Sequence, residues 1–277
     1  MRIGAHVRTP GGLRTAVESA KAVGAEAAQL FISNPRAWSG PRLDTAEKFG
    51  ADWRAGEVGP LYVHAPYLVN IASPNPEFRT KSVELCRKSV AACDVIGAAG
   101  FVVHAGAGGT GERIDALERA AGSLIAITGG GETPVLVELM AATAGAVAST
   151  LSEARALFDA VGADRLRLCL DTCHLFVTGY GLDSAEGVDA CFAELHEVEL
   201  DERLALVHGN DAKHDRGSHR DRHEVVGEGK IGVEGFRAIL GRPELADLSL
   251  VLETPADQPT RAKEIALLRS LIASSPR

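Results

Sequence analysis

Residues 204–232 read L-A-L-V-H-G-N-D-A-K-H-D-R-G-S-H-R-D-R-H-E-V-V-G-E-G-K-I-G. An apolar run of strand length ends in His208 and passes directly into a long polar segment. A segment this polar is predicted to lie outside the core, as a surface loop of the kind that carries binding and catalytic groups. Within it, Asp221 and His223 stand two residues apart. In an extended backbone both side chains point the same way, which suits two ligands of one metal ion.

The unit of a short apolar run followed by a helical pattern repeats along the whole chain. The apolar runs predict strands over residues 3–7, 28–32, 61–64, 101–104, 135–139, 166–171, 204–208 and 248–253. Apolar spacings of three to four predict helices over residues 13–23, 44–54, 76–96, 114–127, 151–161, 184–198, 233–240 and 260–272. Continuous apolar strands that alternate with amphipathic helices indicate a parallel sheet covered by helices.

Eight such units in 277 residues favour an α/β fold of the (β/α)8 TIM-barrel type, with residues 1–277 as a single domain. An open doubly wound sheet is the alternative. It usually carries a glycine-rich nucleotide loop after its first strand, and residues 8–12, R-T-P-G-G, do not match that motif.

Composition limits the compartment and the class of partner. No apolar run approaches the roughly 20 residues of a membrane helix, and the first residues lack a signal peptide, so we expect a cytoplasmic protein without membrane association. The five cysteines are odd in number and lack zinc-ribbon spacing, which favours buried, reduced thiols. A net charge of −8 argues against a general nucleic-acid coat protein but leaves room for a local basic face.

Ionisable side chains stand at or just after the carboxyl ends of seven predicted strands. A barrel places these strand ends on one rim, where the active sites of this fold lie. A single histidine or glutamate at a strand end is more often a hydrogen-bonded partner than a ligand, but so many carboxylates and imidazoles together require compensating cations. The mixture suits Zn²⁺ or Mn²⁺ better than Ca²⁺ or Mg²⁺. The residues concerned are His6, His64, His104, Glu138, Asp171, His174, His208, Asp221, His223 and Glu253.

On these residues the chain resembles the endonuclease IV family, the metal-dependent apurinic/apyrimidinic endonucleases of base excision repair. The matching segments are residues 3–7 (I-G-A-H-V), 64–70 (H-A-P-Y-L-V-N), 170–174 (L-D-T-C-H), 179–180 (G-Y), 208–213 (H-G-N-D-A-K), 221–223 (D-R-H), 227–232 (G-E-G-K-I-G) and 252–254 (L-E-T). They span nearly the whole chain in order, and those between residues 208 and 232 are the most specific.

The resemblance implies a zinc cofactor of three ions per chain, with Mn²⁺ possible at one or more sites. It implies that His64 and His104 hold one ion together with a bridging, catalytic Glu138. A second ion takes Asp171, His208, Glu253 and the same Glu138. The third takes His174, Asp221 and His223. The resemblance implies that His6 lies in the same cavity behind these ligands and does not bind a metal ion itself.

The resemblance further implies a zinc-dependent phosphodiesterase of the deoxyribonuclease IV type, acting as a monomer on double-stranded DNA. It cleaves 5′ to an abasic site, leaves a 3′-hydroxyl and a 5′-deoxyribose phosphate, and clears blocked 3′ ends as a second activity. Arg36, Tyr67 and Leu68 resemble residues that insert into the DNA, and Lys213 and Arg222 stand where they can reach phosphates. The alternative for Tyr67 and Leu68 is ordinary loop packing, and the alternative for Arg36, Lys213 and Arg222 is a solvated surface charge.

One segment departs from the family pattern. After the bridging glutamate the family usually continues N-T-A-G-Q-G, whereas residues 139–145 here read L-M-A-A-T-A-G. We therefore expect this loop to differ in its path and its DNA contacts. Two other functions stay open: a metal-dependent sugar isomerase or epimerase on the same barrel, which needs fewer ligands, and a non-catalytic module that binds damaged DNA.

Overall fold

The computed structural model describes residues 1–9 and 11–274 as a closed barrel of parallel strands. The barrel strands are β1 (Arg2–His6), β2 (Ala28–Leu30), β3 (Leu61–His64), β4 (Gly100–His104), β5 (Val135–Glu138), β6 (Leu166–Asp171), β7 (Leu204–His208) and β10 (Ser249–Leu252). They pair in chain order, and β10 closes the barrel against β1. The predicted TIM barrel is confirmed.

Helices connect the strands and cover the outside of the barrel. They are α1 (Ala16–Ala22), α2 (Leu43–Gly56), α3 (Pro76–Ile96), α4 (Arg113–Thr128), α5 (Leu151–Val161), α6 (Thr172–Thr178), α7 (Ala185–Glu197), α8 (Gly232–Leu240) and α9 (Gln258–Ser274). Short 3-10 turns cover Leu13–Thr15, Asp201–Arg203 and Pro243–Leu245. None of these helices is both long and apolar enough to cross a membrane.

Helix ends follow local sequence signals. At the start of α3 the Asn75 side chain accepts a hydrogen bond from the Phe78 backbone N–H, and Pro76 occupies the first turn. A capping box between Thr150 and Glu153 begins α5.

The barrel interior explains why the ionisable residues meet. A cluster of inward-facing side chains fills it: Tyr62, Val102, Leu136, Cys169, Leu206 and Val251. Two residues further along the same six chain segments stand His64, His104, Glu138, Asp171, His208 and Glu253. Because side chains alternate along a strand, these residues point inward as well, one layer closer to the rim.

Two features differ from the sequence-based expectations. The α6 helix follows β6 without a loop, because Asp171 ends the strand and caps the helix by accepting the His174 backbone N–H. The polar segment after β7 is not wholly outside the core, so that prediction is wrong for its first part. Asn210 and Asp211 are fully buried, and Ala212 pairs with His223 in a hairpin of β8 (Asp211–Ala212) and β9 (His223–Glu224).

Candidate metal centre

The first cluster at the rim joins β3, β4 and β5. Oε2 of Glu138 lies 3.0 Å from Nε2 of His64 and 3.3 Å from Nε2 of His104. Nδ1 of His64 lies 2.8 Å from the backbone oxygen of Ala65, which can only accept a hydrogen bond. Nδ1 therefore carries a hydrogen, and in the neutral ring the lone pair lies on Nε2, the nitrogen that faces Glu138.

The second cluster shares Glu138 and adds residues from β6 and β7 and the residue after β10. Oε1 of Glu138 lies 3.1 Å from Nδ1 of His208, and Oε2 of Glu253 lies 3.2 Å from the same nitrogen. Oδ2 of Asp171 is 4.0 Å from it. One nitrogen and three carboxylates thus converge, each able to offer a ligand atom within 4.8 Å of the others.

The third cluster brings α6 together with the hairpin after β7. Asp221 lies 3.4 Å from Nε2 of His174 and 3.5 Å from Nε2 of His223. Nδ1 of His174 donates to the backbone oxygen of Leu139 at 2.8 Å, which again leaves Nε2 for the cluster. Asp171 is 3.5 Å from Nε2 of His223, so this cluster adjoins the second through the end of β6.

The charges in these clusters compensate each other. Burial by itself would raise the pKa of Glu138, but the facing His104 and His208 hold that pKa well below its usual range. Burial by itself would lower the pKa values of His174 and His208. Asp171, Asp221 and Glu138 nevertheless raise the pKa of His174 well above its usual value. Cys169, Glu253 and Glu138 do the same for the pKa of His208. The site therefore favours positive charge between its carboxylates.

Hydrogen-bond geometry indicates that metal ions fit these positions. Oε1 of Glu138, Nδ1 of His208 and Nε2 of His223 are buried and have no hydrogen-bond partner among the described residues, although carboxylate or imidazole atoms lie within 3.1–3.5 Å. Buried polar atoms are normally satisfied, so such convergence without hydrogen bonds is typical of ligands around a cation. Imidazole and carboxylate ligands suit zinc or manganese.

Sequence reasoning missed two buried amides behind these clusters. Asn210 donates to Oδ2 of Asp171 at 2.6 Å and accepts from the backbone N–H of Glu253 at 2.7 Å. Gln29 of β2 contacts both Glu253 and His208. His6 lies 3.3 Å from Glu253, behind the cluster as expected. Asn210 lies within the family-like segment 208–213, whereas Gln29 lies outside every family-like segment.

The clusters border a cavity of about 1100 Å³ that opens at the rim. Among the residues expected to bind DNA, Tyr67 and Arg222 line it, while Arg36 follows directly after two lining residues, Asn34 and Pro35. Tyr67 is 69% exposed and rests edge-on against Phe31 at 4.8 Å between ring centroids. Leu68 is half-buried beside it, and Lys213 is exposed next to Arg222 across the hairpin, where its N–H donates to the Arg222 oxygen.

The loop after Glu138 packs away from this cavity. Residues 139–149 are absent from its described lining, although Glu138 is present. The N–H of Gly108 donates to the Gly145 oxygen, and the N–H of Val147 donates to the Gly106 oxygen, so the loop lies on the glycine-rich segment after β4. Its contribution to the clusters is the Leu139 oxygen that orients His174.

Comparison with known proteins supports the same class. Residues 17–271 match the family of xylose isomerase-like TIM barrels, the class that the barrel and its polar rim define. A probable endonuclease 4 from Methanoculleus marisnigri is 38% identical over 263 residues, spanning 92% of this chain and 93% of that protein. The endonuclease IV structure from Thermus thermophilus superposes with a TM-score of 0.83 at 30% identity, covering 99% and 100% of the two chains.

The chain belongs to the endonuclease IV family. The resemblance derived from its motifs is confirmed, and with it the expected class of enzyme, an endonuclease. A D-tagatose 3-epimerase-like protein also superposes, with a TM-score of 0.73, 19% identity and coverage of 99% and 97%. That likeness reflects the shared barrel alone.

Proposed function

We propose that the protein is a metal-dependent apurinic/apyrimidinic endonuclease that hydrolyses the phosphodiester 5′ to abasic sites in double-stranded DNA. The observation that carries the proposal is the convergence of Oε1 of Glu138, Nδ1 of His208 and Oε2 of Glu253 under an open cavity. The first two of these atoms are buried and have no hydrogen-bond partner among the described residues. A carboxylate shared between two clusters is what a pair of closely spaced cations requires.

The cofactor we propose is three zinc ions per chain, with Mn²⁺ possible at one or more positions. The residues that would hold them are His64, His104, Glu138, Asp171, His174, His208, Asp221, His223 and Glu253. When bound, such ions supply an activated water at neutral pH and offset the charge of the phosphodiester oxygens.

The chain's own residues would orient this chemistry. Glu138 reaches from β5 into two clusters and would act as the catalytic residue that holds them at a fixed spacing. Backbone oxygens of Ala65 and Leu139 fix the rings of His64 and His174. Rigid orientation of this kind lowers the reorganisation needed in the transition state.

Substrate selection would depend on the rim of the cavity. An abasic nucleotide lacks a base to stack, so extruding it costs less than extruding an intact nucleotide. Tyr67, Leu68 and Arg36 would occupy the gap that it leaves in the helix. Lys213 and Arg222, neighbours on the exposed hairpin, would contact phosphates of the DNA backbone. These charges provide a local basic face on an acidic protein.

The finer assignments belong to the same proposal. The products would be a 3′-hydroxyl and a 5′-deoxyribose phosphate, and the cavity would also admit blocked 3′ ends. We propose that residues 1–277 act as a single domain and as a monomer, since one chain supplies every member of the clusters. Five unpaired, buried cysteines support a reducing compartment such as the cytoplasm.

A duplex with one tetrahydrofuran residue in place of an abasic sugar tests the proposal. This analogue cannot undergo β-elimination, so incision must be hydrolytic. We expect incision 5′ to the analogue and none of the matched undamaged duplex. Turnover of ketoses such as D-tagatose without incision would instead support an epimerase. Tight binding of the damaged duplex without incision by zinc-loaded protein would support a non-catalytic module.

A further inference from the structure

We propose that Gln29 is a positioning residue for the metal centre, whose single amide group fixes both the tautomer of His208 and the orientation of Glu253. This inference rests on the proposed function, because it assigns a role toward the ions of that site. Gln29 lies in β2, on the wall of the barrel that contributes none of the nine proposed ligands.

The amide lies between two proposed ligands and is fully buried. Its nitrogen donates to Oε1 of Glu253 at 2.6 Å and lies 3.1 Å from Nδ1 of His6. Its oxygen lies 3.0 Å from Nε2 of His208. The contact with His6 follows from the pairing of β1 with β2, which places Gln29 beside His6.

The chemistry of these neighbours fixes the direction of the hydrogen bonds that Gln29 makes with Glu253 and His208. An ionised carboxylate only accepts, so the NH₂ end of the Gln29 amide must face Glu253. The oxygen end then faces His208, and an amide oxygen also only accepts. His208 must therefore carry hydrogen on Nε2, which leaves Nδ1 with a lone pair when the ring is neutral. A reversed amide would set oxygen against carboxylate oxygen.

The atoms that remain free are the ones that meet in the second cluster. Nδ1 of His208 lies 3.2 Å from Oε2 of Glu253 and 3.1 Å from Oε1 of Glu138. The other oxygen of Glu253 accepts from Gln29 at 2.6 Å and lies 3.3 Å from Nδ1 of His6. Gln29 thus directs one lone pair from each of two ligands to a common point.

A purely structural role explains less of this arrangement. Burying an amide in a barrel wall costs free energy that an apolar residue of similar size avoids, unless every hydrogen bond is made. Gln29 makes its bonds to proposed ligands, whereas its neighbours in β2, Ala28 and Leu30, are apolar and fully buried. Partners of metal-bound histidines typically change metal affinity by about 10- to 100-fold when removed.

The test compares Gln29→Met with a matched control in the full-length protein. Methionine keeps the unbranched shape and removes the amide. The control is Thr133→Val, which removes a partly buried hydrogen bond from the Thr133 hydroxyl to Asp94, before β5 at the opposite end of the barrel. Zinc affinity is measured by competition with a chromophoric chelator, and Tm is measured by circular dichroism.

We expect Gln29→Met to lower the affinity for one zinc ion by about 10- to 100-fold. We expect Thr133→Val to lower Tm while retaining every zinc ion at wild-type affinity. Wild-type zinc affinity in a folded Gln29→Met protein would overturn the inference and leave the proposed function standing. If the wild-type protein binds no zinc, and incises damaged DNA at the same rate before and after chelation, the proposed function is overturned together with this inference.

A measurement on the wild-type protein covers the case in which Gln29→Met does not fold. Long-range ¹H–¹⁵N spectra of the zinc-loaded protein, with His208 identified by its loss in His208→Gln, report which ring nitrogen carries hydrogen. The inference requires hydrogen on Nε2 and metal-bound character at Nδ1. The opposite tautomer would overturn it.

Discussion

Oε1 of Glu138 lies 3.1 Å from Nδ1 of His208, and neither of these buried atoms has a hydrogen-bond partner among the described residues. Two polar atoms this close would normally share a proton, and their geometry excludes a hydrogen bond. The arrangement is explained if both atoms are ligands directed at the same cation.

Glu138→Gln should therefore abolish most of the activity without unfolding the protein. The substitution keeps the size of the side chain and removes the charge that faces His104 and His208. We expect the incision rate to fall by more than about 100-fold, because even residues behind metal ligands change affinity by 10- to 100-fold. Glu132→Gln is the matched control, an exposed glutamate that lies three residues before β5. Equal activity of the two variants would contradict the assigned role.

Asp211 should stabilise the fold rather than take part in catalysis. Its buried carboxylate accepts the backbone N–H groups of Gly227 at 2.9 Å, Gly229 at 3.2 Å and Ile231 at 2.9 Å, and so ties the end of the long loop to β8. Asp211→Ala leaves these donors unpaired, and we expect the free energy of unfolding to fall by about 3 kcal/mol.

Urea denaturation followed by circular dichroism measures this effect. Asp215→Ala serves as the control, since the Asp215 side chain is 87% exposed in the same loop. We expect its free energy of unfolding to stay within about 0.5 kcal/mol of wild type. A similar loss in both variants would mean that the loop as a whole, rather than the buried carboxylate, is sensitive to charge removal.

His196 gives a pH dependence that is separate from the metal centre. Its ring nitrogens lie 2.9 Å from Glu244 and 3.0 Å from Asp201, and the hydrogen bond to Glu244, followed by the nearby charge of Asp201, raises the pKa of His196. A raised folded-state pKa adds stability below the unfolded value of about 6.5, and that stability is lost as pH rises through the folded pKa.

Denaturation of wild type and His196→Gln between pH 5 and pH 9 checks the direction of this dependence of stability on pH. We expect wild type to be the more stable protein at pH 5, with the difference shrinking as the pH rises. A difference that instead grows with pH would show that the folded protein favours the neutral ring.

Tyr67→Ala should weaken recognition of damaged DNA more than it affects folding. Base–aromatic stacking contributes about 1–3 kcal/mol per base, so we expect Kd for an abasic duplex to rise by roughly 5- to 150-fold. Ile125→Ala is the control, because Ile125 is an exposed apolar residue on α4 outside the cavity lining. Fluorescence anisotropy with damaged and undamaged duplexes measures both. An unchanged Kd for Tyr67→Ala would leave Tyr67 as a packing residue on Phe31.

Much of the barrel was predictable because its strands are continuous apolar runs that end in ionisable residues. The predicted bounds of β3, β6 and β7 coincide with the observed 61–64, 166–171 and 204–208. Alternation of side chains then places the proposed ligands on the inner face of the rim. Two of the observed groups have the membership that the family resemblance implies, His64 with His104 and Glu138, and Glu138 with Asp171, His208 and Glu253. The implied third set is divided, because His174 and His223 group with Asp171, and Asp221 and His223 group with Cys173.

Features set by distant contacts were not predictable. The α6 helix is buried on nearly every side, so it lacks the amphipathic pattern that reveals a surface helix. Asp211 appeared as one more charge in a polar segment, because most of its hydrogen-bond donors lie 16 to 21 residues further along the chain. Gln29 carried no local signal, since its three partners come from β1, β7 and the residue after β10.

Reconstitution of the chelated enzyme tests the central claim most directly. Protein stripped of metal is supplied with increasing zinc, and incision of a 5′-labelled duplex with a single tetrahydrofuran residue is followed together with extension of the nick by a DNA polymerase. We predict no incision by the stripped protein, full recovery at three zinc ions per chain, and a product that the polymerase extends directly from its 3′-hydroxyl. Incision that survives complete removal of metal, or a metal-replete protein that leaves the duplex intact, would contradict the account.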